Sequence, residues 1–184
     1  ILKTKKNLEY LSNVFNSELK NLFPHPEDSD PTLGSLSKIT SSKRIYKSDY
    51  VEEGIPFYRT KEIKELANNQ KIKTKLFIDD KKYNELLKNF GAPLKGDVLI
   101  TAIGTIGEIY VVENKDKFYF KDGNIIWIKE LKGIEPYFLK YSLMSFVNKL
   151  NKLSHGAAYN ALSIEKLKSF KVQIPSLDEQ SQIV

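Results

Sequence analysis

The chain has 184 residues, 41% hydrophobic and 11% aromatic, which suits one domain with a proper core and excludes a disordered or low-complexity segment. Basic residues number 29 against 23 acidic, a net charge of +6. There is no cysteine, so disulfides, cysteine-held zinc, iron–sulfur clusters and thiol catalysis are excluded together.

The charge is uneven. The first 30 residues carry four lysines and five acids, while residues 31–184 carry 25 basic and 18 acidic side chains, a net +7. A basic body suits a polyanionic partner; a lysine-rich composition alone is the competing account. Arg44 and Arg59 are the only arginines. No apolar run approaches the roughly 20 residues of a membrane helix, and no secretory leader opens the sequence. A cytoplasmic protein with no membrane partner is expected. The chain opens on Ile1 rather than Met, which reads as a fragment or a trimmed chain.

In chain order, residues 5–23 read as a helix, because Leu8, Leu11, Phe15, Leu19 and Leu22 recur at spacings of three and four. The stripe is narrow, as in a coiled-coil seam. Pro24 and Pro26 end it, and residues 24–32 read as a proline- and acid-rich linker. After a turn at Gly54, Ile55 to Arg59 reads as a strand. Asp79-Asp80 caps a helix carrying Tyr83, Leu86, Leu87 and Phe90, with Gly91 at its end. Four short β-branched or aromatic runs come next, at 97–103, 108–113, 117–120 and 124–129. Their short connections predict antiparallel neighbours. Pro136 opens a second long helix, striped by Leu139, Leu143, Phe146, Leu150 and Leu153 and broken at Ser154 to Ala158. Ser163 caps a short helix to Phe170, and Lys171 to Ile174 reads as a last strand. Ser176 and Glu179 form a capping box that launches a helix near the end of the chain. No internal repeat is present.

Catalytic constellations are thin. His25 and His155 are far apart, and there is no His-Glu-x-x-His, Gly-x-Ser-x-Gly or P-loop. Gly104-x-x-Gly107 follows a strand but runs into another strand, where a dinucleotide turn needs a helix. A magnesium nuclease pairs an Asp with Glu-x-Lys. That pattern occurs at Glu18/Lys20, Glu62/Lys64, Glu113/Lys115 and Glu130/Lys132, as chance alone allows in so lysine-rich a chain. Asp97 with Glu113 and Lys115 has the best strand context.

Several stretches together carry a family resemblance. Lys95-Gly96-Asp97-Val98-Leu99-Ile100-Thr101, running into Gly104-Thr105-Ile106-Gly107, resembles the GD-x-L-x…G-T-x-G segment of target recognition domains. These belong to the DNA-specificity (S) subunits of type I restriction–modification enzymes. Gly156 to Ser163 with Leu167 resembles the loop and short helix that come after it in the family. Ile174-Pro175-Ser176-Leu177-Asp178-Glu179-Gln180 with Ile183-Val184 resembles the segment I-P-x-P-x-x-E-Q-x-x-I-V, with Ser176 in place of the second proline. Gly54 to Arg59 and Leu33-Gly34-Ser35-Leu36 fit as well, and residues 8–23 resemble the tail of a preceding helix.

The expected fold is α+β: a twisted, mainly antiparallel sheet or partial barrel with packed helices and helical arms at both ends. The resemblance implies a spacer-helix segment at 1–23, a linker at 24–32, a target recognition domain at 33–175 and the start of a spacer helix at 176–184. It implies a non-catalytic specificity subunit, or a half-subunit or fragment, that reads one half of a bipartite site in double-stranded DNA. Full subunits carry two such domains. Methyltransferase subunits, a restriction–translocase subunit and, for a half-subunit, a second copy would be its partners. No cofactor is expected on this chain; S-adenosylmethionine, ATP and Mg²⁺ would sit on the partner subunits. The alternatives are the target domain of a fused methyltransferase–nuclease, a magnesium nuclease domain and a protein–protein scaffold.

The candidate DNA-binding residues are Lys43, Arg44, Tyr46, Tyr58, Arg59, Lys61, Thr101, Gly104, Thr105, Tyr159 and Asn160. Arginine can grip guanine with two hydrogen bonds, so Arg44 and Arg59 stand out, although either could instead be a structural ion pair. The tyrosines are base contacts or half-buried strand residues. Gly104 and Gly107 are turn glycines or points of close approach to phosphate. Leu8, Leu11, Phe15, Leu19, Leu22, Glu179 and Gln180 are the candidates for docking a partner helix.

Overall fold

The computed structural model describes residues 2–23, 26–113, 117–153 and 161–184. In chain order come α1 (Leu2–Leu22), a one-turn α2 (Leu33–Leu36), β1 (Lys38–Thr40), a 3-10 turn (Lys47–Asp49), β2 (Tyr50–Val51), β3 (Ile55–Tyr58), α3 (Thr60–Ala67), β4 (Phe77–Ile78) and α4 (Asp80–Phe90). After these come β5 (Val98–Thr101), β6 (Ile109–Val111), β7 (Tyr119–Phe120), β8 (Ile125–Lys129), α5 (Pro136–Leu153), α6 (Ile164–Lys168) and α7 (Leu177–Ile183). The predicted caps are in place: Asp79, Ser163 and Ser176 each accept from the backbone N–H three residues on.

The strands form two sheets of four, ordered β1-β8-β5-β6 and β2-β4-β3-β7. The first is antiparallel throughout. Its central strands are apolar on successive residues because both faces are covered. Val98, Ile100, Ile126 and Ile128 face α5, where Phe138, Leu139 and Leu143 meet them. Leu99, Ile125 and Trp127 face the other way, onto Ile63 of α3 and Phe120 of β7. The second sheet packs its far side on α4, through Phe57, Ile78, Tyr119, Tyr83 and Leu86.

Two features depart from the sequence reading, and a third settles the place of α1. β7 does not pair with the strands before and after it but lies parallel to β3, with Tyr119 opposite Phe57 and Phe120 opposite Tyr58. Its two aromatics bury into different cores, Phe120 toward the first sheet and Tyr119 toward α4, and that fixes it as the edge of the second sheet. Residues 171–174 form no strand beyond a single bridge from Lys171 to Thr32. Two hydrogen bonds make that bridge: Val172 N–H donates to the Pro31 carbonyl at 3.0 Å and Leu33 N–H to the Phe170 carbonyl at 2.7 Å. Finally, α1 lies against α5, with Leu19 and Phe23 in the main core and an Asn148–Asn16 side-chain hydrogen bond of 2.8 Å between the helices.

Candidate nucleic-acid interface

Strand directions gather chemistry at one end of the sheets. Parallel β3 and β7 end side by side, so Arg59 after β3 sits near Lys121 and Asp122 after β7; Lys121 N–H donates to the Tyr58 carbonyl at 2.9 Å. The 121–124 turn leads into β8, and Ala102 N–H, just past β5, donates to the Asn124 carbonyl at 2.8 Å. The Gly104–Gly107 loop is therefore at the same end. Leu162 N–H reaches the Ala102 carbonyl at 2.9 Å, so the approach to α6 returns there too. Segment 41–44 crosses this end. Ser42 Oγ donates to the Phe120 carbonyl at 2.6 Å and Ser41 Oγ to the Ile125 carbonyl at 2.9 Å. Lys43 N–H donates to the Tyr119 hydroxyl at 3.1 Å.

Both arginines are thus at one place, held differently. Arg59 gives Glu62 its backbone N–H at 2.9 Å, Nε at 3.3 Å and Nη2 at 2.9 Å. The Glu62 side chain is 1% exposed. Burial pushes its carboxyl up, but the hydrogen bonds from Arg59 and from its own backbone N–H outweigh this and hold it below the usual glutamate value. Arg44 meets Asp122 through Nε alone, at 3.1 Å, with its side chain 68% exposed. Its two terminal nitrogens have no partner among the described residues, which leaves them for a planar acceptor. The Tyr50 hydroxyl is within electrostatic reach of Arg59, Asp122 and Asp49. Burial raises its pKa first, Arg59 pulls it down, and Asp122 and Asp49 push it up.

The other candidates divide. Tyr46 is exposed. Tyr58 is half-buried and stacks on Phe118 at 4.8 Å. Lys61 pairs with Glu65 at 3.7 Å, and the Lys43 ammonium lies 4.7 Å over the Phe90 ring. Thr101 is buried; its hydroxyl donates to the Thr105 carbonyl and accepts from Glu108 N–H, which closes the glycine turn. Gly104 has φ +82° and open space where a Cβ would go. Gly107 has φ +85°, and a Cβ there would stand 2.5 Å from Val147 Cγ1, so it is fixed by packing. Tyr159 and Asn160 lie outside the described residues. Sequence reading missed Lys121 and Asp122; Asp122 carried only the turn signal of Asp122-Gly123, and Lys121 none.

Asp97 has a structural task. Its Oδ2 accepts from Leu94 N–H at 2.9 Å and from Trp127 Nε1 at 2.8 Å, and burial raises its pKa. Lys115, its expected companion, lies outside the described residues. No three His, Asp or Glu side chains cluster as metal ligands among the described residues.

On the helical side, Leu11, Phe15 and Leu22 are exposed, Leu19 is in the core, and the Leu8 side chain lies outside what is described. Glu179 caps its own helix. Gln180 is buried: its amide donates to the Gly133 and Pro175 carbonyls, both at 2.9 Å, and accepts from Glu135 N–H at 2.8 Å. No described helix is long and apolar enough to cross a membrane.

Residues 27–184 match the family model described as the type I restriction modification DNA specificity domain. The chain belongs to that family. A relative from Haemophilus influenzae, named as a type I restriction enzyme specificity subunit, is 33% identical over 155 residues, covering 83% of this chain and 37% of the relative. The HsdS subunit from Thermoanaerobacter tengcongensis superposes with a TM-score of 0.70 at 20% identity, over 99% of this chain and 42% of that one. A chain from a type I R-M system, solved to explain complex assembly and conformational transition, gives 0.69 at 22%, over 99% and 43%. These two likenesses show the fold. The specificity domain thus spans well under half the length of the proteins it matches. The family is described by DNA specificity and the relative by specificity.

Proposed function

We propose that this specificity domain reads one half of a bipartite duplex DNA site with the sheet end that carries Arg44, Arg59, Lys121 and the 102–107 loop. The convergence of both arginines there carries the reading. Arg44 supplies the base-reading fork, while Arg59 is spent on Glu62 and positions the start of α3. Tyr46 and the Gly104 backbone lie on the approach to DNA. The exposed side of α1 is the dock for methyltransferase subunits, with a restriction–translocase subunit joining the assembly. S-adenosylmethionine, ATP and Mg²⁺ belong to those subunits, and this chain holds no cofactor. The setting is the cytoplasm.

Binding to duplex DNA across a salt series tests the reading. Affinity should fall with a log–log slope of about −0.9 per phosphate neutralised, and Mg²⁺ should bring no cleavage. A flat salt response would point to a scaffold, and Mg²⁺-dependent cutting to a nuclease.

A further inference from the structure

Lys71, Lys73 and Lys75 are exposed, while Ile72, Thr74 and Leu76 between them are half-buried. That alternation marks an extended segment with one face on the protein and one in water. The segment is fastened to β3: Phe57 N–H donates to the Leu76 carbonyl at 2.9 Å, and Thr74 Oγ1 lies 3.4 Å from the Phe57 carbonyl. It leads into the β3–β4 ladder, in which Pro56 faces Phe77, while Leu76 N–H turns back to Thr74 Oγ1 at 3.2 Å. Several other lysines are matched by acids: Lys61 with Glu65, Lys64 with Glu108, Lys82 with Glu85. Lys71, Lys73 and Lys75 form no ion pair among the described residues.

We propose that these three lysines form a rail for one DNA phosphate backbone, running outward from the arginine end. This rests on the reading of the domain as a DNA binder. Residues two apart in an extended segment are about 6.6 Å apart, so three flexible ammonium groups on one face reach successive phosphates of one DNA strand rather than sharing one. The rail carries no sequence information. It sets the register in which Arg44 meets a base edge.

The experiment measures binding of the full chain to a mixed-sequence duplex over a salt series. The parent is compared with the triple variant Lys71→Gln, Lys73→Gln, Lys75→Gln and with the matching triple arginine variant. The glutamine variant should lose about 2.7 from the magnitude of the log–log slope, at about 0.9 per lysine, and weaken alike on every sequence; arginines should restore both. Thermal melting should not move. If melting does move, single glutamine variants replace the triple, each expected to remove about 0.9. A glutamine variant that keeps the parental slope overturns the rail and leaves the domain a DNA binder. A parent without duplex affinity overturns the reading of the domain, and the rail with it.

Discussion

Arg44 meets the Asp122 carboxylate through Nε alone, at 3.1 Å, so Asp122 orients the guanidinium without consuming its fork. Lysine at 44 would keep the charge and lose the planar pair of donors. Arg44→Lys should therefore relax preference at one base position, by roughly 1–3 kcal/mol, with little change in non-specific affinity. Binding selection on randomised duplexes reads this directly. An unchanged preference would return Arg44 to a purely structural ion pair.

Arg59 should behave in the opposite way. Removing it leaves the buried Glu62 carboxylate without its guanidinium. A fully buried pair broken from one side costs roughly 3–5 kcal/mol, which the half-exposure of Arg59 reduces to about 1–3 kcal/mol for Arg59→Ala. The Glu62 carboxyl is held below its ordinary 4.5, so its contribution is present above that value and lost as pH falls through the folded value. The stability gap between parent and variant should be widest near neutral pH and close in acid below 4.5. Urea melts at a series of pH values check this; a gap independent of pH would exclude the carboxylate as its source.

Much of this was legible in the sequence where local rules decide. The caps at Asp79, Ser163 and Ser176 arise from a side-chain oxygen near three backbone N–H groups. The stripes of α1 and α5 arise from helical spacing. The parallel pairing of β7 with β3 was not legible, because two aromatic residues on a strand say nothing about which distant edge receives them. Residues 171–174 have strand composition, yet they meet only the irregular backbone around Pro31. Arg44 and Arg59 looked equivalent by residue type. Only the positions of Asp122, 78 residues from Arg44, and of Glu62, three from Arg59, separate them. Gln180 looked like a docking residue because its partners at Gly133 and Glu135 are remote in the chain.

Asp97 serves packing rather than catalysis, and two substitutions distinguish the two roles. Asp97→Ala leaves Leu94 N–H and Trp127 Nε1 without an acceptor, at about 1–3 kcal/mol for each buried donor. Asp97→Asn keeps an acceptor oxygen and removes the buried charge. Burial raises the Asp97 pKa above its ordinary 3.8, so the acid is most favourable to the fold below that value and loses this advantage as pH rises through the folded value. The asparagine variant should gain on the parent over that same rise and hold its gain at neutral pH. Denaturation midpoints report it. Equal damage from Asn and Ala would mean that the charge itself matters.

The glycine turn contains one packing glycine and one open glycine. Gly107→Ala combines φ +85° with a methyl 2.5 Å from Val147 Cγ1, whereas Gly104→Ala meets nothing and bears only the left-handed backbone cost of about 1–2 kcal/mol. Gly107→Ala should thus be the more destabilising, and Val147→Ala should recover part of its loss in a double-mutant cycle. Independent, additive effects would contradict the contact. Gly104→Ala should weaken DNA binding beyond its effect on stability if the backbone there approaches phosphate.

The first helix has two apolar sides with different work. Leu19 is 3% exposed and packs in the main core, and Leu11 is 60% exposed, uncovered by the described residues. Leu19→Ala should cost about 2–5 kcal/mol, because the cavity opens between α1 and the core. Leu11→Glu should stay within about 0.5 kcal/mol of the parent, as an exposed site does, and keep its affinity for DNA. If the exposed side of α1 docks methyltransferase subunits, Leu11→Glu should abolish co-purification with them, and Leu22→Glu on the same helix should weaken it. Sedimentation of the reconstituted assembly measures the loss. Intact assembly with both glutamates would place the dock elsewhere and leave α1 a core helix alone.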